Sequence, residues 1–297
     1  MNPDLPKFVV CFATAGRREL MTETLRHLAK QTRAPDEVII ALASADDIDE
    51  SIFSELPYPV RVRIGPRGLT SQRNVALRSL SDEGYIVFFD DDFLMAVDYL
   101  EECEKIFLAR PDIAVITGEV VADGIIGPGL EVEHAKHLLD TLGPREALVV
   151  RDIYNAYGCN MAYRVAHIKA LKAEFDEALP LYGWLEDVDF SCRLAAAGRI
   201  VWTNACRGVH LGIKRARQSG LMFGYSQVAN PIYLLVKGSI VPGKAFGQMS
   251  RNLLANAARV AFPEPWVDRR GRAKGNVLAL RDLFLGRLKP QNILDFH

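Results

Sequence analysis

The chain has no long hydrophobic run. Among its 297 residues no stretch approaches the ~18 consecutive apolar side chains that cross a bilayer, and the best candidate, Ile232 to Val236, is closed by Pro231 and Lys237. A membrane-spanning helix is therefore not expected. The opening Met1-Asn2-Pro3-Asp4-Leu5-Pro6 lacks the basic and apolar segments of a secretory leader, so a cytoplasmic location is expected. Cysteine is scarce: Cys11, Cys103, Cys159, Cys192 and Cys206 are scattered and form no C-x-x-C pair. That argues against the usual zinc and dithiol motifs and leaves small core residues of a reducing compartment. Glycine is thin where a phosphate loop would need it, since Ala13 to Arg18 holds a single Gly. Internal repeats and low-complexity tracts are absent.

Net charge is also nearly absent, at −1, but it is unevenly spread. From Arg207 onward there are 15 Lys and Arg against four acids, a balance of +11 that leaves −12 on residues 1–206. An acidic body with a basic tail suggests separate partners for the two parts.

What is present is a β/α alternation. Short β-branched or aromatic runs at about 8–13, 37–42, 60–64, 85–90 and 113–121 read as strands. Arg18 to Gln31 and Leu69 to Leu80 carry apolar residues at helical spacing between them. This is the pattern of an α/β fold with a mostly parallel sheet flanked by helices. Residues 124–150 are less regular, with Gly127-Pro128-Gly129 and Gly143-Pro144 as turns, and read as an insertion near the site. A strand near 158–163, helices at about 164–172 and 186–197, and a strand at 199–203 follow. Beyond His210 the pattern is helical.

The strand Tyr85-Ile86-Val87-Phe88-Phe89 runs straight into Asp90-Asp91-Asp92. In open α/β sheets ligands bind at the carboxyl ends of strands, where these acids fall. Extended alternation would aim Asp90 and Asp92 to one side, a pair of hard oxygen donors suited to Mn²⁺ or Mg²⁺. A solvated acidic turn is the plain alternative. Three adjacent carboxylates after a buried strand repel one another unless a cation is present.

From Phe8 to about Lys237 the chain resembles the family-two inverting glycosyltransferases of the GT-A fold, which include bacterial exopolysaccharide and cell-envelope sugar transferases. Ala13-Thr14-Ala15-Gly16-Arg17 is similar to the family's first-strand turn, Gly68 to Asn74 to its turn ending in A-R-N, and Gly158 to Arg164 with Trp184-Leu185-Glu186-Asp187-Val188-Asp189 to its acceptor-side signature. The resemblance implies a catalytic domain over 1–212, with a nucleotide-sugar half at about 1–122 and an acceptor half at about 123–212, followed by a helical basic region at 213–297. It implies that Thr14, Arg17, Arg73, Asp90 and Asp91 face a nucleotide sugar, and that His210 joins Asp90 and Asp92 at a metal. No acid follows the second strand where the family reads the base; acids return only at Asp46 and Asp47.

Sugar transfer from a nucleoside diphosphate needs positive charge at the leaving group and a base for the acceptor hydroxyl. Asp187, with Glu186 beside it, is the expected base, although acids in a helix's first turn also complement its dipole. Trp184 and Asn160 are the expected sugar contacts. His210 and Trp184 could equally be ordinary core residues.

In the tail, Phe246, Met249, Leu253, Ala257 and Val260 recur at helical spacing beside a basic stripe of Lys244, Arg251 and Arg259. Such a helix either docks on the core or meets an anionic membrane surface. A glycan or lipid-diphosphate-linked acceptor would suit the second role. Nucleic acid is not expected, because the body is acidic. A sugar-1-phosphate nucleotidyltransferase and a non-catalytic binding relative remain the alternatives.

Overall fold

A computed structural model describes residues 6–214 and 219–296, so Arg215 and Arg217 of the basic tail lie outside the described residues. The order is β1 (Phe8–Thr14), α1 (Arg18–Leu28), β2 (Glu37–Leu42), β3 (Val60–Ile64), α2 (Leu69–Arg78), β4 (Tyr85–Asp90), β5 (Phe93–Met95), α3 (Tyr99–Ala109), β6 (Ile113–Asp123), α4 (Val132–Asp140), β7 (Val150–Asp152), β8 (Asn160–Arg164), α5 (Val165–Ala170), α6 (Glu186–Leu194), β9 (Arg199–His210), α7 (Gly220–Lys237), α8 (Pro242–Arg259) and α9 (Arg269–Phe284). A short 3-10 segment, Pro290–Asp295, follows.

One sheet in the order β3-β2-β1-β4-β8-β6-β9-β5 organises the chain, with β7 paired to β9. The strands β3, β2, β1 and β4 are mutually parallel, as the alternating pattern predicts. Central parallel strands are covered on both faces, which is why Phe8–Phe12 and Tyr85–Phe89 are buried throughout and read as unbroken apolar runs. Strand order reverses at β1, with β2 on one side and β4 on the other, and this opens a crevice at their carboxyl ends. Thr14 and Asp90 terminate those two strands.

Antiparallel strands enter beyond β4, where β8 lies between β4 and β6. The irregular stretch 124–150 contains α4 and β7. The strand expected to stop at Thr203 instead runs on to His210, with shifts of register against β6, so no loop separates it from the histidine.

The helical tail is built on close backbone approach. A Cβ on Gly224 would stand 2.1 Å from the Arg272 carbonyl oxygen, and one on Gly275 would stand 2.1 Å from that of Leu221, so α7 and α9 touch through glycine. The buried face of α8 differs from the apolar stripe. Ala245 and Asn256 are buried, Met249 and Leu253 pack partly, and Phe246, Ala257 and Val260 stay exposed. The interface takes a polar network instead: Asn256 Nδ2 donates to Gln227 Oε1 and Asn276 Oδ1, each at 2.8 Å. Satisfied polar groups can be buried, and hydrophobic periodicity cannot see them.

Candidate active site

The chain leaves β4 at Asp90, turns through Asp91 and Asp92, and re-enters the sheet as β5. Asp91 points into the protein. Its Oδ2 accepts from Thr14 Oγ1 at 2.6 Å, its Oδ1 from Arg17 Nη1 at 2.6 Å, and its carbonyl from Thr24 Oγ1 at 2.8 Å. Thr14 and Arg17 thus brace the triplet and also line the cleft. The loop that carries them is tied by Asp47, whose carboxylate accepts from the N–H groups of Gly16 at 2.6 Å and Ser44 at 3.0 Å. Asp92 Oδ2 accepts from the Ile213 N–H at 2.9 Å. Asp90 and Asp92 do converge, but through this turn rather than through strand alternation.

His210 completes the group. One donor atom from each of Asp90, Asp92 and His210 lies within 4.8 Å of the others, and His210 Nε2 is 3.4 Å from Asp92 Oδ1. The second imidazole nitrogen, Nδ1, is 2.9 Å from Asp123 Oδ1. Burial would lower the His210 pKa, but its hydrogen bonds to Asp123 and Asp92 overcome that and push it up to about 10. Burial likewise works against an ionised Asp92, yet the hydrogen bond and charge of His210 hold it down to about 2. Two carboxylates and an imidazole make a donor set that fits Mn²⁺ or Mg²⁺ with positions left for phosphate and water. Among the described residues six carboxylates, at Asp90, Asp91, Asp92, Asp123, Glu186 and Asp187, gather here with the guanidinium groups of Arg17, Arg67 and Arg73 and one imidazole.

Behind Asp90 lies a second cluster. Arg73 is 1% exposed; its Nη1 donates to Glu186 Oε1 at 2.6 Å and its Nη2 to Asp90 Oδ1 at 2.9 Å and the Gly158 carbonyl at 3.0 Å. Asp187 Oδ2 accepts from the Gly158 N–H at 3.1 Å and Oδ1 from the Val188 N–H at 2.8 Å. Burial raises the pKa of both Glu186 and Asp187; the Asp187 charge adds to it at Glu186, while Arg73 opposes it at both. Leu185, just before them, holds a left-handed φ of 75°, a strained conformation that sets the start of α6.

A cleft of about 530 Å³ opens over the triplet, between the ends of β1 and β4 on one side and Arg67, Tyr182, Met222 and Phe296 on the other. The sequence model of a known family, glycosyl transferase family 2, matches residues 9–173, more than half of the chain. The chain belongs to this family.

No curated protein matches it in sequence. Among solved structures it resembles S. aureus TarS 1-349 in complex with UDP-GlcNAc, at 17% identity and a TM-score of 0.55, covering 97% of this chain and 82% of that one. The mannosyltransferase PcManGT from Pyrobaculum calidifontis, in complex with GDP-Man and Mn²⁺, matches at 17% identity and a TM-score of 0.55 over 98% of this chain and 86% of that one. GalNAc-T7 with UDP, GalNAc and Mn²⁺ matches at 12% identity and a TM-score of 0.57 over 97% and 58%. The chain spans about 40% of the longer S. aureus TarS chain. At these identities the likeness establishes the GT-A fold.

Within this family 2 chain the expected residues fall in three places. Thr14, Arg17, Asp90, Asp91, Asp92 and His210 line one cleft. Arg73, Glu186 and Asp187 are not among the residues that line it: Arg73 is buried and donates to Asp90 and Glu186, while Asp187 beside them is only half-buried. Asn160 and Trp184 are not brought to it. Asn160 is fully buried, and its Oδ1 accepts from Gly118 N–H at 2.5 Å, Tyr99 Oη at 3.1 Å and Thr117 Oγ1 at 3.2 Å. The Trp184 ring packs on Phe223, 5.8 Å between centroids, and its carbonyl accepts from Asn230 Nδ2.

The sequence reading missed Arg67, Asp123 and the apolar wall of Tyr182, Met222, Leu294 and Phe296. Arg67 sits in the turn before α2, in Gly65-Pro66-Arg67-Gly68, and that loop position was its only signal. The wall is assembled from three segments, around residues 182, 222 and 294–296, and left none.

Proposed function

We propose that this chain is a metal-dependent inverting glycosyltransferase, moving a sugar from a nucleoside-diphosphate donor to a hydroxyl of a glycan or lipid-linked glycan. The observation that carries the reading is the convergence of Asp90, Asp92 and His210 within 4.8 Å on the floor of the cleft at the strand-order reversal. Asp90, Asp92 and His210 would hold the divalent cation, which would supply positive charge for the departing diphosphate. Mn²⁺ accompanies the donor in PcManGT and UDP in GalNAc-T7, which supports a divalent cation, Mn²⁺ or Mg²⁺, at this site.

The protein's own groups carry the rest. Arg67 has no carboxylate partner among the described residues and lines the cleft, so its guanidinium is free for phosphate or base oxygens. Thr14 and Arg17 keep Asp91 turned inward and so fix the aim of its two neighbours. Arg73 sets Asp90. Asp187 takes the proton from the acceptor hydroxyl; its pKa, raised by burial, brings it nearer to that task than a solvated carboxylate would be. Inversion follows from attack on the face opposite the diphosphate.

The tail fits a membrane-bound acceptor. Thirteen of the 22 exposed large apolar side chains among the described residues lie in Val236–Leu294, about a fifth of the chain. Phe262 and Phe284 are 89% and 92% exposed, and Arg251, Arg270, Lys274 and Lys289 have no carboxylate partner among the described residues. Apolar side chains between free cations match an anionic lipid surface, as would be needed in cell-envelope or exopolysaccharide assembly.

Thermal-shift measurements with UDP-, GDP-, dTDP- and CDP-sugars, with and without Mn²⁺, test the donor site. One nucleotide class should raise Tm, by mass action, only with the ion present. Stabilisation equal in EDTA would remove the metal from the reading.

A further inference from the structure

The imidazole of His210 can serve a cation only if its Nε2 carries a lone pair and faces Asp90 and Asp92. Which nitrogen carries the proton is set by what the other nitrogen meets. Here Nδ1 meets Asp123, 2.9 Å away, and the two residues are register partners at the ends of the parallel strands β6 and β9. Asp123 is itself held by two further hydrogen bonds. Its Oδ1 also accepts from the Ile125 N–H at 2.9 Å, and its Oδ2 accepts from Tyr157 Oη at 2.8 Å. The Tyr157 ring stands edge-on to the imidazole, 6.1 Å between centroids at 86°.

Tyr157 belongs to the short segment that also contacts the other half of the site. The next residue, Gly158, donates to Asp187 through its N–H and accepts from Arg73 through its carbonyl, and the Cys159 carbonyl accepts from the Asp90 N–H at 3.1 Å. Three consecutive residues therefore touch the histidine's carboxylate, the expected base and the first residue of the triplet. Gly158 leaves little slack: a Cβ there would stand 3.3 Å from Glu186 Oε1 and 3.5 Å from Asp187 Oδ2.

We propose that Asp123 and Tyr157 are positioning residues for the cation site. Asp123 holds His210 in the Nδ1–H form with Nε2 aimed at Asp90 and Asp92, and Tyr157 locks Asp123 to the segment that carries Asp187 and Arg73. The inference rests on the metal-dependent reading above, and it assigns the distance between leaving-group side and base side to residues 157–159. An orienting carboxylate of this kind is worth about 10–100-fold in metal affinity.

The test is Mn²⁺ binding, by calorimetry and by the electron paramagnetic resonance of free Mn²⁺, in the full chain. Asp123→Ala should weaken binding about 10–100-fold. Asp123→Asn should weaken it less than Asp123→Ala, because the amide oxygen can still accept from His210 Nδ1–H and from the Ile125 N–H, and only the charge is lost. Asp123→Glu should recover part of the loss, and Tyr157→Phe should weaken binding less than Asp123→Ala. Exposed Glu133→Gln, on α4, should leave it unchanged.

Circular dichroism identifies any variant that fails to fold. If Asp123→Ala does not fold, Tyr157→Phe, which loses a single hydroxyl, decides the matter. Wild-type affinity in a folded Asp123→Ala, or in Tyr157→Phe where that does not fold, overturns the positioning role while leaving the metal site standing. A wild type that binds no Mn²⁺ overturns both.

Discussion

Asp91 and Asp92 are adjacent and almost equally buried, yet their surroundings push them in opposite directions. Burial takes Asp91 up to about 6 against the pull of Arg17, whereas the His210 hydrogen bond and charge take Asp92 down to about 2. The same contacts raise His210 to about 10. A metal ligand must be a neutral imidazole, so binding releases that proton. The sign follows: below about pH 10 the proton competes with the ion, and competition weakens as pH rises. Mn²⁺ affinity should therefore climb between pH 6 and 8.5, by up to about tenfold per unit. Calorimetry at several pH values in buffers of differing ionisation enthalpy reads both the affinity and the proton released. A flat or falling affinity, or no proton release, would remove His210 from the ligand set.

At the scale of elements, the helical tail hangs on two glycines. Gly224→Ala should force α7 and α9 apart, because its methyl would meet the Arg272 carbonyl, and should cost about 1–3 kcal/mol of stability in urea unfolding. A variant as stable as the wild type would mean that the close crossing is not needed. Elements with one strong pattern were legible in the sequence: β2 and β4 fall where the apolar runs place them, because interior strands are buried on both faces, and the half-buried edge strand β3 falls at its β-branched run as well. The three-residue strands β5 and β7 are too short to show a period, and α3 and α4 were not anticipated. The run of β9 to His210 was hidden by its register shifts. The docked face of α8 was misread because Asn256 and its amide partners fill it. Within the site, Asp90, Asp92 and His210 could be named from their places in the chain. Asp123 could not, since it matters only through the strand beside it, and motif position did not show that Asn160 turns into the core or that the Trp184 ring packs on Phe223.

At the scale of the molecule, charge and function separate. Residues 1–206 carry a net charge of −12 and the rest +11, and the tail holds most of the exposed large apolar side chains among the described residues. Among the described residues no helix is long and apolar enough to cross a membrane. Co-sedimentation with vesicles should show binding to anionic lipid that weakens as salt rises, absent from neutral vesicles and reduced by joint Arg251→Glu, Arg270→Glu and Lys274→Glu changes. Binding indifferent to lipid charge would leave the tail as packing alone. The central claim is that a cation on Asp90, Asp92 and His210 and a base at Asp187 together transfer a sugar. It is tested most directly by following nucleoside diphosphate release from a donor sugar in the wild type, Asp92→Asn and Asp187→Asn, with Mn²⁺ and with EDTA. The account predicts release that needs Mn²⁺, is lost in Asp92→Asn, and falls at least about 100-fold in Asp187→Asn while that variant still binds the donor. Undiminished release in EDTA, or in either variant, would contradict it.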